Sequence, residues 1–363
     1  MKRSGVSRLF RPAVALFAAV AFVVLPEHGG VLLAQQDCFD RAREPYTSVV
    51  DSHLHFRPFG GPAVPFTQVV EYLRRSGVRY ASVNGIGQAL PVDSECTYYL
   101  DCPGTPVTPS MKNDFANAVE YAAVKPAQPR LALAMTFMDL RRPEAVPPGI
   151  TLYDKEFPGM FRWAGEVNLV KQALFPNGHQ AATIPDIAGW APFMRVLRQR
   201  GMPITIHSDL GDDAEPTKYL HLFEEVLRRY PDNQVVWAHM GLSKELTTIP
   251  ADEHIRILQR LLGRYPNLTL DLSWRVLEDL HFSKPGARRK YATLLDAHPT
   301  RAVPGTDFVA SANKSYEVYA QELEVTSRIN KELGDEAFRN IALGQNYFRL
   351  LHIADRAPQI CLT

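Results

Sequence analysis

The chain carries almost no net charge: 40 Lys and Arg face 39 Asp and Glu over 363 residues, a formal +1. That balance gives no field for a polyanion and argues against nucleic-acid binding as the main task. Several catalytic signatures are also missing. There is no G-x-S-x-G elbow, no P-loop, no Rossmann glycine set and no H-E-x-x-H helix, so serine esterase, kinase, dehydrogenase and zincin readings lack their parts. Cysteine is scarce, with four residues and no C-x-x-C, which removes zinc ribbons and thioredoxin-type redox chemistry. No low-complexity tract appears. The 46% hydrophobic fraction is ordinary for a globular protein, so disorder, collagen-like and coiled-coil designs are excluded. The length fits one large domain or two small ones.

Long apolar runs are missing too. The run Ala13–Leu25 follows Lys2, Arg3, Arg8 and Arg11 and is shorter than the roughly 20 residues of a spanning helix. A basic start, a short apolar stretch and then small residues predict a secretory signal over residues 1–34, cleaved after Ala34. An uncleaved anchor is the alternative. Ala34-Gln35-Gln36-Asp37 lacks the small residues that would direct lipidation to Cys38. The mature chain, residues 35–363, would be a secreted or periplasmic single domain with no membrane span. In an oxidising compartment the four cysteines predict two disulfides. Cys96 and Cys102 enclose a short loop and predict a local bridge. Cys38 and Cys361 lie near the two mature ends and predict a staple between them.

From Ser48 onward, short β-branched runs alternate with amphipathic stretches. Strands are predicted at 48–51, 78–83, 131–138, 163–170, 203–207, 234–239, 268–272 and 301–304. Helices are predicted at 66–76, 113–124, 187–199, 219–229, 255–264, 287–295, 316–333 and 336–343. Gly201-Met202-Pro203, Tyr230-Pro231 and Tyr265-Pro266 end three helices ahead of strands, because proline cannot continue a helix. Eight such units predict an α/β fold, either a closed (β/α)8 TIM barrel with extra C-terminal helices or an open doubly wound sheet. The open sheet would carry a Gly-rich turn after its first strand, where this chain reads Asp51-Ser52-His53-Leu54-His55. The barrel is therefore the expectation.

His53 and His55 stand two apart on a strand and so face the same side, where both can meet one metal ion. An H-x-H pair alone is unspecific. What strengthens it is position: His207 ends the fifth strand, His239 the sixth, and Asp307 follows the eighth, while Glu166 lies in the fourth. Barrel enzymes place catalytic groups at the C-terminal ends of their strands.

The ordered series His53/His55, His207, His239, Asp307 resembles the amidohydrolase superfamily. The stretches DSHLH (51–55), AHMG (238–241), GTDF (305–308) and NYFRL (346–350) are similar to its amidohydrolase-related branch of metal-dependent TIM-barrel hydrolases, over roughly residues 48–352. The resemblance implies that His53, His55 and His207 bind a divalent metal, with Asp307 as ligand and proton acceptor. His239 would hydrogen-bond the metal-activated water or the substrate carbonyl. It also implies one or two ions, zinc being the expected one although such ligand sets accept Mn and Fe as well. Glu166 resembles a fourth-strand Glu ligand that can bridge a second metal; some relatives use a carboxylated Lys there, and Lys171 is the rival. By alternation the two should face opposite ways, and Glu166 is preferred.

The expected function is hydrolysis of an amide, ester or lactone bond of a small molecule. Two alternatives stay open: a metal-dependent decarboxylase, which needs a cation such as Lys171 or Arg275 for the substrate carboxylate, and an inactive exported binding protein. His179 is read as a solvated loop residue, and Asp209, Asp212 and Asp213 as an acidic loop either solvated or near substrate access. Asp271 and Trp274 are either pocket or core. His221, His254, His281, His298 and His352 are read as surface or packing residues, and Asn267-Leu268-Thr269 as a chance glycosylation sequon. The loops 88–110 and 139–161, the substrate and any homo-oligomer are not legible.

Overall fold

Strand runs buried on both faces dominate the computed structural model, which describes residues 38–44 and 46–361. The predicted signal segment and its cleavage point lie outside those residues. Eight parallel strands, β1 (Val50–His55), β2 (Tyr80–Asn84), β3 (Arg130–Met135), β4 (Phe161–Val170), β5 (Ile204–Ser208), β6 (Val235–Trp237), β7 (Leu268–Asp271) and β8 (Ala302–Val303), pair in chain order. All six residues of β1 and all five of β5 are buried, as expected where helices cover a parallel sheet whose inner face is also packed.

The last strand closes the ring in two pieces. Ala302 and Val303 pair with Leu270 and Asp271 of β7, and the following β9 (Phe308–Val309) pairs with Leu54 and His55 of β1. Between them the Ser52 N–H donates to Pro304 O at 2.9 Å and the Asp307 N–H to His53 O at 2.7 Å. The architecture is the predicted (β/α)8 barrel.

The outer helices follow their apolar spacing. In α1 (Phe66–Arg75) Phe66, Val69, Val70 and Leu73 form one buried stripe, with Tyr72 buried beside it. α2 (Lys112–Val124) matches its expected span. The Pro-rich 139–161 connection holds a full helix, α3 (Val146–Glu156), with prolines confined to its first turn, where no backbone N–H is needed. The predicted 187–199 helix is two pieces, α4 (Ile184–Ala188) and α5 (Ala191–Gln199), separated at Gly189-Trp190. The proline device works as read: α6 (Leu220–Arg229) and α7 (Ala251–Arg264) stop at Tyr230 and Tyr265. After α8 (Ala287–Ala297), the predicted 316–333 helix is α9 (Tyr316–Ser327) plus a tighter turn over Arg328–Glu332. α10 (Asp335–Ile341) follows, then α11 (Gln345–Leu350), a helix the hydrophobic pattern did not reveal.

Both expected disulfides are formed, Cys38–Cys361 and Cys96–Cys102. The first joins two short paired strands, Cys38–Phe39 and Gln359–Ile360. Among the described residues no helix is long and apolar enough to cross a membrane.

Candidate metal centre

The H-x-H pair lies within β1 rather than just beyond it, since the strand runs through His55. Both side chains point into the barrel mouth. The His53 Nδ1–H donates to Asp271 Oδ2 at 2.6 Å, and the His55 Nδ1–H donates to the Gly85 carbonyl at 2.6 Å. Each ring therefore keeps its Nε2 lone pair for the mouth, the arrangement in which an outer hydrogen bond sets the tautomer of a metal ligand. His53 Nε2 is buried and has no hydrogen-bond partner. It lies 3.8 Å from Glu166 Oε2 and 3.6 Å from Asp307 Oδ1, while His55 Nε2 lies 3.4 and 3.3 Å from the same two oxygens. Two imidazole nitrogens and two carboxylate oxygens thus converge on one point.

Glu166 belongs to a second group as well, with His207 and His239. The His207 Nδ1 is 2.5 Å from Glu166 Oε1, and its Nε2 is 2.9 Å from Asp209 Oδ1. His239 Nε2 stands 3.9 Å from Glu166 Oε1, and its Nδ1–H donates to Ser273 Oγ at 2.9 Å. The Ser273 hydroxyl in turn donates to Asp271 Oδ2 at 2.7 Å. So His207 does not join His53 and His55 around one point, as the resemblance implied; Glu166 lies between them.

The expectation that Glu166 and Lys171 face apart is wrong. Lys171 Nζ is 3.1 Å from Glu166 Oε1 and 3.4 Å from His207 Nδ1. The pairing of β4 with β5 shifts register twice, between Ala164 and Val167 and between Asn168 and Val170, and each irregularity breaks the two-residue alternation. Gly165 permits the close approach: with φ +91°, a Cβ there would lie 2.2 Å from Thr205 O.

Further residues were misread or left undecided. His179 is buried rather than solvated, stacked on Phe175 with ring centroids 6.0 Å apart, and burial pushes its pKa down to about 4. Asp209 is buried beside His207, whereas Asp213 holds the Thr247 and Thr248 hydroxyls at the surface. Asp271 belongs to the centre, and Trp274 packs on His239 at 4.9 Å. A hydrophobic or charge pattern could not have marked Asp271 or Ser273, because they act on the histidines across the barrel.

Electrostatically the centre is overloaded with acid. Among the described residues, Lys171 is the one Lys or Arg in contact with Glu166, Asp209, Asp271 and Asp307, and Lys314 acts on Asp307 from farther off. Against burial, these carboxylates push the His53, His55 and His207 pKa values up. Burial would raise the Glu166 pKa, but Lys171 and His207 hold it well below the usual range. Burial likewise opposes ionisation of Asp307, yet the hydrogen bond from His55, with the neighbouring imidazoles, keeps it low. Burial drives His239 down to about 4, so it is neutral near pH 7. Buried carboxylates in excess of their cations need a counter-charge, and the orphaned His53 Nε2 needs a partner. A divalent cation fits both needs, and His/carboxylate donors suit zinc and its neighbours. The mouth opens into a cavity of about 760 Å3 whose wall includes Phe59, Tyr99 and Trp274.

A TIM barrel with a His/carboxylate cluster at the C-terminal ends of its strands defines a metal-dependent hydrolase class. The chain belongs to the amidohydrolase family: the family model matches residues 50–344. Solved structures support the fold. An amidohydrolase from Burkholderia multivorans with bound Zn is similar at TM-score 0.52 and 14% identity, covering 84% of this chain and 99% of that one. Dihydroorotase from Saccharomyces cerevisiae, in complex with 5-fluoroorotic acid, is similar at TM-score 0.50 and 11% identity, covering 86% of each. No curated protein matches the chain by sequence.

Proposed function

We propose that this metal-dependent hydrolase is exported and cleaves an ester, amide or lactone bond of a small molecule, using one divalent ion, zinc by preference. The observation that carries the reading is the partnerless His53 Nε2 facing His55 Nε2, Glu166 and Asp307. These four residues would hold the ion. When bound, the ion supplies Lewis acidity toward a carbonyl and lowers the pKa of water. Asp307 is the cluster carboxylate with the most exposure, 16% of its side chain. It is therefore the group that accepts the proton of the attacking water and delivers it to the leaving group. His239 has its Nδ1–H committed to Ser273, so its Nε2 accepts a hydrogen bond from water and orients it. Trp274 and Phe59 line the cavity beside the cluster.

The second group argues for one ion. The Lys171 ammonium already stands against Glu166 and His207, so that site has an internal cation. The same pairing weakens the decarboxylase alternative. Lys171 is committed to Glu166, and Arg275 to Asp279 at 2.7 Å, so neither is free to clamp a substrate carboxylate. Export is supported by two disulfides, which persist in oxidising compartments. Elemental mass spectrometry on chelator-free protein tests the reading. About one transition ion per chain is expected, lost in His53→Ala/His55→Ala, with Asp307→Asn abolishing turnover in a folded protein. No ion after reconstitution, or unchanged kcat/KM in Asp307→Asn, would overturn it.

A further inference from the structure

Four cationic side chains line the cavity: Lys171, Lys244, Arg275 and Lys314. Two are spoken for. Lys171 bonds Glu166, and Arg275 pairs with Asp279 and, at 3.9 Å, with Glu322. The other two have no such partner. Among the described residues neither Lys244 Nζ nor Lys314 Nζ makes a hydrogen bond, and neither has a carboxylate oxygen within 4.0 Å. Each instead sits over an aromatic ring, Lys244 over Trp274 at 5.6 Å and Lys314 over Phe308 at 5.0 Å.

Those two rings adjoin the metal centre. Trp274 packs on His239, and Phe308 follows Asp307 in the chain. The lysines thus approach the cavity from two separate loops, after β6 and after β9, each one ring out from the cluster. Lys244 is exposed, so its position alone would mean little. Lys314 is mostly buried, and burial pushes its ammonium pKa down, the Glu322 and Asp307 carboxylates opposing that shift from a distance and the Lys244 charge adding to it. Ring-face contact offsets only about 0.5–2 kcal/mol of such a cost, less than a charge-assisted pair would. Two like charges turned toward one cavity, one of them poorly solvated, are complementary to an anion.

We propose that Lys244 and Lys314 form an anion subsite on the loop side of the cavity, and that the substrate carries a second, non-reacting carboxylate or comparable anionic group there. This rests on the reading above for the identity of the reacting end. The aromatic wall between the two ends suits a flat or apolar body joining them.

The test uses matched probes and the zinc-reconstituted full chain. Dissociation constants are measured by calorimetry for terephthalate and for its amide isostere 4-carbamoylbenzoate. The longer pair, 1,4-phenylenediacetate and its monoamide, is measured alongside. At least a tenfold preference for the dianion is expected in one pair. It should collapse to near one in Lys244→Gln/Lys314→Gln and survive in Lys244→Arg/Lys314→Arg. A ratio near one in the wild-type protein for both pairs overturns the proposal. So does a ratio retained in the glutamine variant, or one lost equally in the arginine variant, which would mark a packing effect. Because the readout is binding, failure to hydrolyse any ester, amide or lactone would count against the proposed function and leave the ratio to decide the subsite.

Discussion

Asp271→Asn should cost metal affinity without costing the fold, and the reason is a tautomer. In the native site the Asp271 Oδ1 accepts from the Ser273 N–H at 2.9 Å, while Oδ2 accepts from the His53 Nδ1–H at 2.6 Å and from the Ser273 hydroxyl at 2.7 Å. An asparagine keeps one acceptor. If its oxygen stays on the Ser273 N–H, its NH2 faces His53 Nδ1, which must then become an acceptor. The ring proton moves to Nε2 and points into the ligand position. Restoring the competent tautomer requires turning the amide and leaving the buried Ser273 N–H without an acceptor, a loss of about 1–3 kcal/mol, with further cost from the weaker neutral pair. Loss of such an outer partner typically lowers metal affinity 10–100-fold, about 1.4–2.7 kcal/mol. The assay is competition for zinc against a chromophoric chelator at pH 7.5, with far-UV circular dichroism as the control for folding. An affinity within threefold of wild type would refute the tautomer argument. A loss accompanied by unfolding would be settled by Asp271→Glu, which keeps the acceptor and should retain more affinity than the asparagine.

Three more outcomes are expected. The Cys38–Cys361 bridge spans 323 positions and Cys96–Cys102 only 6, so loop-closure entropy gives the first about 5–6 kcal/mol and the second about 2. Urea titration of Cys38→Ser/Cys361→Ser should show the larger loss, and equal losses would contradict the entropic account. His254 accepts from the Tyr291 hydroxyl through Nδ1 and donates to the Met240 carbonyl through Nε2, and burial holds its pKa down to about 3. Its folded-state value lies below the unfolded one of about 6.5, so the unfolded chain binds the proton first. Stability should therefore fall as pH drops from about 6.5 toward 3, by as much as about 5 kcal/mol. His254→Gln, which can keep both bonds without titrating, should flatten that slope in chemical denaturation, and an unchanged slope would sink the assignment. Lys171→Met removes the internal cation beside Glu166 and should raise the metal content from about one to about two ions per chain; an unchanged content would mean that the His207 group never accepts a metal.

The barrel was legible because its signals are local. Buried parallel strands read as short β-branched runs, and the Tyr-Pro pairs at 230 and 265 stop helices whatever surrounds them. That His53, His55, His207, His239 and Asp307 gather at one mouth was legible for a related reason, since a polar residue at the C-terminal end of an apolar strand violates the pattern around it. What escaped was set by contacts between distant segments. Asp271 looked like any residue closing a strand until His53 was seen across the barrel. The two register shifts in β4 depend on its pairing with β5, and no property of residues 161–170 alone announces them. Lys244 and Lys314 lie in irregular loops, where a lysine is ordinarily solvated and nothing in the local sequence separates it from its neighbours.

Left-handed backbone sets three residues of the centre apart from the rest. His53, His55, Glu166 and His207 arrive on β1, β4 and β5, in regular or bulged strand. His239, Trp274 and Asp307 follow β6, β7 and β8 with φ of 54°, 74° and 57°, a left-handed region that costs a non-glycine residue about 1–3 kcal/mol. Glycine would relieve that cost at each position but would remove the side chain that faces the cavity. The strain persists because the surrounding bonds over-determine it. The Asp307 N–H is tied to His53 O, and Thr306 donates through both its N–H and its hydroxyl to the buried Asp51. Gly305 clears the way, since a Cβ there would lie 2.8 Å from the His53 Cβ. The left-handed set thus holds the two groups assigned to water and proton, one of which, Asp307, is also a proposed ligand of the cation.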